Sequence, residues 1–221
     1  MVHTEDFEYT PKETNSGSGA VTTAFATKHH RGKICLPIVP VKVMTLSGKY
    51  IYTYALLDNG SNTTFCTDSL LQKLNVTGNK TKYRLSTVDG ESNQRHGRIV
   101  NLQATDVEEK CFVELKNVLS TDFLPLSSRD IPEQKDLSSW PHLCDIALVS
   151  LPVSVSGATV EQLIGNDNHE LLQPLEIRKS VNKGPYAVKT VFGWVVNGPV
   201  SVEKQQRHLS FLVMADELLN Q

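Results

Sequence analysis

Between residues 34 and 58, the order of apolar and polar positions is typical of β-strands. The run ICLPIVPVKVMTL (34–46) is β-branched and apolar, SGK (47–49) supplies turn residues, and YIYTYALLD (50–58) resumes the apolar pattern. Side chains alternate between the two faces of a strand, so the three tyrosines of the second run share one face. The pattern predicts a β-hairpin whose second strand ends in an apolar stretch.

Short strands are predicted along most of the remaining chain. Two strands flank a polar, glycine-containing reversal within 83–107, and CFVELKNVL (111–119) alternates like another strand. A further apolar segment ends at Gly165, and YAVKTVFGWVV (186–196) supplies one or two closing strands. Short strands at close spacing predict an all-β, barrel-like domain.

Helices are predicted to be few and short. Thr67 or Asp68 can cap a helix that carries Leu70, Leu71 and Leu74. The segment 120–148 contains three prolines and reads as irregular, with a short helical turn at 140–143. A turn or short helix is also expected after Gly165.

The chain is predicted to divide into three segments. Residues 1–30 are rich in polar residues and glycine and are expected to form a flexible lead-in. Residues 31–200 are expected to form the folded domain. Residues 201–221 end in an amphipathic stretch and are interpreted as a linker or as the truncated start of a downstream region.

Composition narrows the possible partners. The formal net charge is −2, and no apolar run approaches the roughly 20 residues that a membrane span needs. We therefore expect neither a nucleic-acid partner nor a membrane partner for this domain. The N-terminus lacks the apolar region of a secretory signal, so secretion is not expected. The four cysteines are scattered without zinc-ligand spacing, and no metal or cofactor is expected.

The candidate chemistry lies in Leu56-Leu57-Asp58-Asn59-Gly60-Ser61. A carboxyl group directly after a buried strand costs desolvation energy, which indicates a use for its charge. Read alone, Asp-Asn-Gly is also good turn chemistry. A calcium loop is excluded because Thr63 and Ser69 replace the required glycine and glutamate.

A second motif changes this interpretation. Leu163-Ile164-Gly165-Asn166-Asp167 combines an apolar pair with a glycine, as a strand needs when it passes close behind another backbone. Together with Asp58-Asn59-Gly60 it resembles the signatures of the retropepsin family, and within that family the Pao/BEL group of LTR-retrotransposon polyproteins. The segments 55–65, 163–176 and 191–199 carry the likeness, which covers about residues 34 to 200.

The resemblance implies a closed β-barrel that works as a homodimeric aspartic endopeptidase on peptide or polyprotein substrates, in the cytoplasm or in a retroelement particle. Asp58 would be the catalytic residue. The residues implied to support its loop are Asn59, Gly60, Ser61, Gly165 and Asn166. The residues implied to form the substrate-covering flap are Asp89, Gly90 and Glu91.

Asn59 departs from the family pattern, which has serine or threonine at this position. That hydroxyl belongs to a hydrogen-bond network that braces the two catalytic loops across the dimer, and an amide has a different geometry. Two alternatives therefore stay open. One is a domain that keeps the dimeric fold but only binds peptides or partners. The other is a monomeric β-barrel with no use for Asp58.

Overall fold

The computed structural model describes residues 33–86, 92–200 and 214–217. The predicted lead-in (1–30) and flap residues (Asp89, Gly90 and Glu91) lie outside the described residues, as does most of the predicted linker. The described strands are β1 (Ile34–Cys35), β2 (Ile38–Met44), β3 (Tyr50–Leu57), β4 (Phe65–Thr67), β5 (Asn79–Ser86), β6 (Ser92–Thr105), β7 (Phe112–Thr121), β8 (Val160–Ile164), β9 (Glu176–Arg178), β10 (Tyr186–Thr190), β11 (Gly193–Pro199) and β12 (Met214–Glu217).

The helices are short, in agreement with the sequence. They are α1 (Asp68–Leu74), α2 (Gln134–Leu137) and α3 (His169–Leu172), and single 3₁₀ turns lie at Ser128–Asp130, Pro141–Leu143 and Asn166–Asn168. Thr67 is the N-cap of α1, and its hydroxyl accepts the Leu70 N–H at 3.1 Å. The predicted cap and the buried leucine face of this helix are confirmed.

Six strands close into a barrel in the order β6–β2–β3–β8–β4–β7, because β7 pairs back with β6. The long strand β6 makes closure possible, since its two halves have different neighbours. Its first half pairs with β5, and its second half pairs with both β2 and β7. The predicted hairpin of β2 and β3 is confirmed, with Ile38 opposite Leu56 and Met44 opposite Tyr50.

The barrel is buried on both faces along β2, β4, β8 and the end of β3. In β3 Leu57 packs in one apolar cluster with Val39 and Ile164, whereas its neighbour Leu56 packs in another with Ile131. Consecutive side chains point to opposite faces of a strand, so the two clusters lie on opposite sides of the sheet. This double burial explains why the ends of β3 and β8 read as continuous apolar runs.

The chain adds a second sheet to the barrel. Its four strands are ordered β1–β11–β10–β9, so the strands predicted at 186–196 pair with each other and with the start of the domain. A third apolar cluster lies against this sheet and contains Cys35, Leu137, Ala187 and Val196. The prediction of a barrel alone was therefore incomplete. Strand β12 pairs with β5 at the edge of the larger sheet.

Gln162 is an amide in the apolar interior of the barrel. It is fully buried in β8 opposite Ala55 and Cys66, and neither of its amide atoms has a hydrogen-bond partner among the described residues. We expect Gln162→Met to raise the free energy of unfolding by about 1–3 kcal/mol, since an unsatisfied buried polar group costs that much. Urea unfolding at neutral pH measures the change.

The matched control is Gln94→Met, which makes the same substitution at an exposed position of β6. It is expected to change stability by less than about 0.5 kcal/mol. A Gln162→Met variant less stable than the original chain would contradict the prediction.

Candidate active site

Asp58 is positioned by the parallel pairing of β3 with β8. Leu57 lies opposite Ile164 in this pairing, and the Asp58 N–H donates to the Ile164 carbonyl at 2.9 Å. The end of β3 is anchored on its other side as well, where the Leu57 N–H donates to the Pro37 carbonyl at 2.9 Å. The two sequence motifs therefore meet at one end of the barrel.

The Asp58 carboxyl group is partly buried and only half satisfied. Oδ1 accepts the Gly60 N–H at 2.9 Å, whereas Oδ2 is buried and has no hydrogen-bond partner among the residues that the structure describes. Burial raises the pKa of Asp58, and the backbone N–H groups of Gly60 and Ser61 oppose that shift only in part. The site thus holds a carboxyl that favours its proton more than an ordinary aspartate does.

Hydrogen bonds to neighbouring backbone groups hold the turn after Asp58 in place. The Ser61 N–H donates to the Asp58 carbonyl at 3.3 Å, and the buried Ser61 hydroxyl donates to the Thr63 carbonyl at 2.7 Å. The Asn166 N–H donates to the Ser61 carbonyl at 2.7 Å. Asn59 lies at the exposed tip of the turn.

Gly165 lies so close behind this turn that no side chain fits. A Cβ atom at this position would lie 2.4 Å from the Thr63 carbonyl oxygen and 3.0 Å from the Ser61 carbonyl oxygen. Backbone atoms cannot move aside as a flexible side chain can, so glycine is required here for space. Asn166, beside it, contributes its backbone N–H to the turn, while its side chain is exposed.

Thr64 and Asp167 fasten the far end of the same loop, and the sequence did not single out either of them. The buried Thr64 hydroxyl donates to Asp167 Oδ1 at 2.7 Å and accepts from the Gly165 N–H at 3.1 Å and Asn168 Nδ2 at 2.9 Å. Asp167 Oδ2 also accepts the Thr64 N–H at 3.0 Å. The sequence did contain a signal for Asp167, because this residue ends the Leu-Ile-Gly-Asn-Asp motif.

The structure thus brings together most residues that the sequence proposed for the site. Asp58, Gly60, Ser61, Gly165 and the backbone of Asn166 form one contiguous unit, and Asn59 projects from it. The strands β5 and β6 pair from Asn79–Ile99 to Ser86–Ser92 and form the two arms of a hairpin. The residues between these arms lie outside the described ranges.

No protein-family model matches the chain, and neither a curated protein nor a solved structure does. Within the described residues, no helix is both long and apolar enough to span a membrane. The same residues contain no group of three or more histidine, cysteine or acidic side chains that could hold a metal ion. The closed barrel and the partly buried carboxyl of Asp58 are the features of the structure that bear on function.

The Thr64 hydroxyl takes part in three hydrogen bonds, so its removal is expected to destabilise the protein. Thr64→Val keeps the shape of the side chain but leaves the buried Gly165 N–H without its acceptor. With three hydrogen bonds lost at about 1 kcal/mol each, we expect the free energy of unfolding to fall by about 3 kcal/mol. Urea unfolding at neutral pH checks this value.

Thr53→Val provides the matched control. Thr53 is also fully buried, but its hydroxyl makes one hydrogen bond, to the Thr159 carbonyl at 2.8 Å. Thr53→Val is expected to lower the free energy of unfolding by about 1 kcal/mol. Equal losses in the two variants would mean that the Thr64 network does not brace the loop.

Proposed function

We propose that the chain is an aspartic endopeptidase that works as a homodimer and hydrolyses peptide bonds, with polyprotein processing in the cytoplasm or in a retroelement particle as its role. The observation that carries the proposal is the buried Oδ2 of Asp58, which has no hydrogen-bond partner among the described residues. A loop held by several hydrogen bonds presents this atom at the end of a buried strand, although burying a polar atom without a partner costs stability. Perturbed carboxyl groups of this kind are enriched at functional sites.

The chemistry requires a second carboxyl group. Peptide hydrolysis by this class uses two carboxyls that share one proton across a bound water. One acts as general base on the water, and the protonated one polarises the scissile carbonyl. Since each chain contributes a single Asp58, the second carboxyl comes from another copy, related by a two-fold axis that passes between the two residues.

The raised pKa of Asp58 fits this arrangement. A partly buried aspartate that already favours its proton in one chain is well suited to share a proton with a second copy. Two such groups in contact titrate as a unit, because both cannot ionise at close range. In the dimer, Oδ2 would then face the shared proton and the water instead of lacking a partner.

The hairpin of β5 and β6 is the proposed cover of the substrate. Its arms are regular and pair over their full described length, with Asp89, Gly90 and Glu91 between them in the chain. Tyr83 on β5 anchors the hairpin to the barrel, because its buried hydroxyl donates to the Ser120 carbonyl at 3.0 Å. A hairpin fixed at its base and extended beyond the barrel suits a flap.

Asn59 favours a second candidate function, peptide binding without cleavage. Its side chain is exposed in the single chain, so in the proposed dimer it would meet the partner's loop rather than the core. A carboxamide there cannot reproduce the short reach of a hydroxyl, and a misplacement of about 1 Å can lower a rate by about 10²-fold. Such a domain would dimerise and bind extended peptides but cleave them slowly or not at all.

Cleavage of a peptide library between pH 4 and 7 tests the proposal. We expect Asp58→Asn to abolish cleavage, since the amide can neither accept the water's proton nor share one. Asn59→Ser is expected to raise the rate by about 10²-fold if the geometry of the amide limits catalysis. Asp145→Asn is the matched control at an exposed surface position and is expected to leave cleavage unchanged.

The outcomes separate the candidates. Cleavage that persists in Asp58→Asn would overturn the proposed chemistry. Cleavage only in Asn59→Ser, with peptide binding by the original chain, would establish the binding function instead. A chain that sediments as a monomer at high concentration would contradict both dimeric functions and leave the monomeric barrel.

A further inference from the structure

One face of the β5–β6 hairpin carries only basic and neutral polar residues. The register places Lys80 opposite Arg98, Lys82 opposite His96, and Arg84 opposite Gln94. Directly opposed residues, and residues two apart along a strand, share a face. The hairpin's basic face is therefore formed by Lys80, Lys82, Arg84, His96 and Arg98, with Gln94 and two serine positions completing it.

These side chains are accessible and unpaired. Lys80, Lys82, Arg84 and His96 are exposed, and Arg98 is partly exposed. None of the five forms an ion pair with another residue that the structure describes. The acidic residue nearest in register is Asp216 of β12, opposite Arg84 at the edge of the sheet.

The arrangement does not arise from composition. The chain has 22 lysines and arginines against 24 acidic residues, so a random exposed face would carry both signs. Like charges directly opposite each other on neighbouring strands are destabilising, as in the pair Lys80 and Arg98. A fold that keeps such a pair on a regular, well-paired hairpin indicates that the charges serve a purpose other than stability.

The other face of the hairpin has a structural role. Tyr83 packs against Phe65 with ring centroids 5.9 Å apart, and Gly97 leaves space for the Ser120 carbonyl, which a Cβ atom would approach to 2.4 Å. The basic face lies on the opposite side of the hairpin from these contacts. It is not the surface through which the hairpin is attached.

We propose that the basic face binds a nucleic-acid strand through its phosphodiester backbone. The cations form two rows, with about 6.8 Å between neighbours along a strand and about 4.8 Å between strands. Lysine and arginine are the usual donors to phosphate oxygens. Because the face contains no Phe, Tyr or Trp side chain, binding is expected to depend on the phosphates and to be independent of base sequence.

Nucleic-acid binding by this face would be a function beyond peptide hydrolysis, and it does not depend on Asp58. The expectation of no nucleic-acid partner rested on the net charge of −2, which averages over the whole chain. Binding to phosphates depends on where the positive charges lie. The hairpin gathers five basic residues on one surface, and Asp216 of β12 is the acidic residue that the register places beside them.

Fluorescence anisotropy with a labelled single-stranded oligonucleotide, prepared as both RNA and DNA, tests the proposal. Four permanently charged residues predict that the logarithm of the binding constant falls against the logarithm of salt concentration with a slope of about −3. RNA and DNA are expected to bind with equal affinity. The double variant Lys80→Gln/Lys82→Gln is expected to bind at least 10-fold more weakly, with the slope reduced in magnitude by about 1.4.

The matched control is Lys110→Gln/Lys135→Gln. Both of these lysines are exposed, each pairs with a glutamate two residues away, and neither lies on the hairpin. The control removes the same charge and is expected to bind like the original chain.

Four results would overturn the proposal. They are no binding at low salt, an equal loss in the two double variants, a preference of 10-fold or more for one nucleic acid, and equally tight, variant-sensitive binding of a polyglutamate peptide. The last would indicate an acidic protein as the partner. Running the assay in Asp58→Asn as well keeps the outcome separate from that of the peptidase proposal.

Discussion

The parallel pairing between β3 and β8 holds the rest of the site in place. It sets the Asp58 N–H against the Ile164 carbonyl, and it leads directly to the contacts of Gly165 with the turn after Asp58. Thr64 and Asp167, which lie 103 residues apart in the chain, then close the loop from its other end. Without this pairing, Asp58 would end a strand at the surface, where an aspartate needs no explanation.

Local features of the chain were predictable from its sequence, and long-range ones were not. The β2–β3 hairpin, the Thr67 cap of α1 and the strand that ends at Gly165 follow from period, turn residues and capping chemistry over a few positions. The division of β6 between two sets of neighbours does not, because it depends on partners elsewhere in the chain. The second sheet was missed for the same reason.

The candidate site shows the same division at the level of single residues. Asp58 and Gly165 were recognisable because each is locally unusual. Asp58 is a charge directly after a buried strand, and Gly165 is a glycine at a strand end. Thr64 and Asp167 are not unusual in this way. A threonine before a strand and an aspartate after a glycine are ordinary, and only the fold brings their side chains to 2.7 Å. The basic face could likewise not be predicted from the net charge, because strand register, and not composition, brings its residues together.

In the proposed dimer, two copies of Asp58 form one acid–base unit. Carboxyl titration of Asp58, followed by NMR in selectively labelled protein across a range of concentrations, tests it directly. The proposed dimer predicts a single titration step with a raised pKa in dilute protein, replaced at high concentration by two separated steps that belong to the pair. A single, unchanged step at every concentration would contradict it.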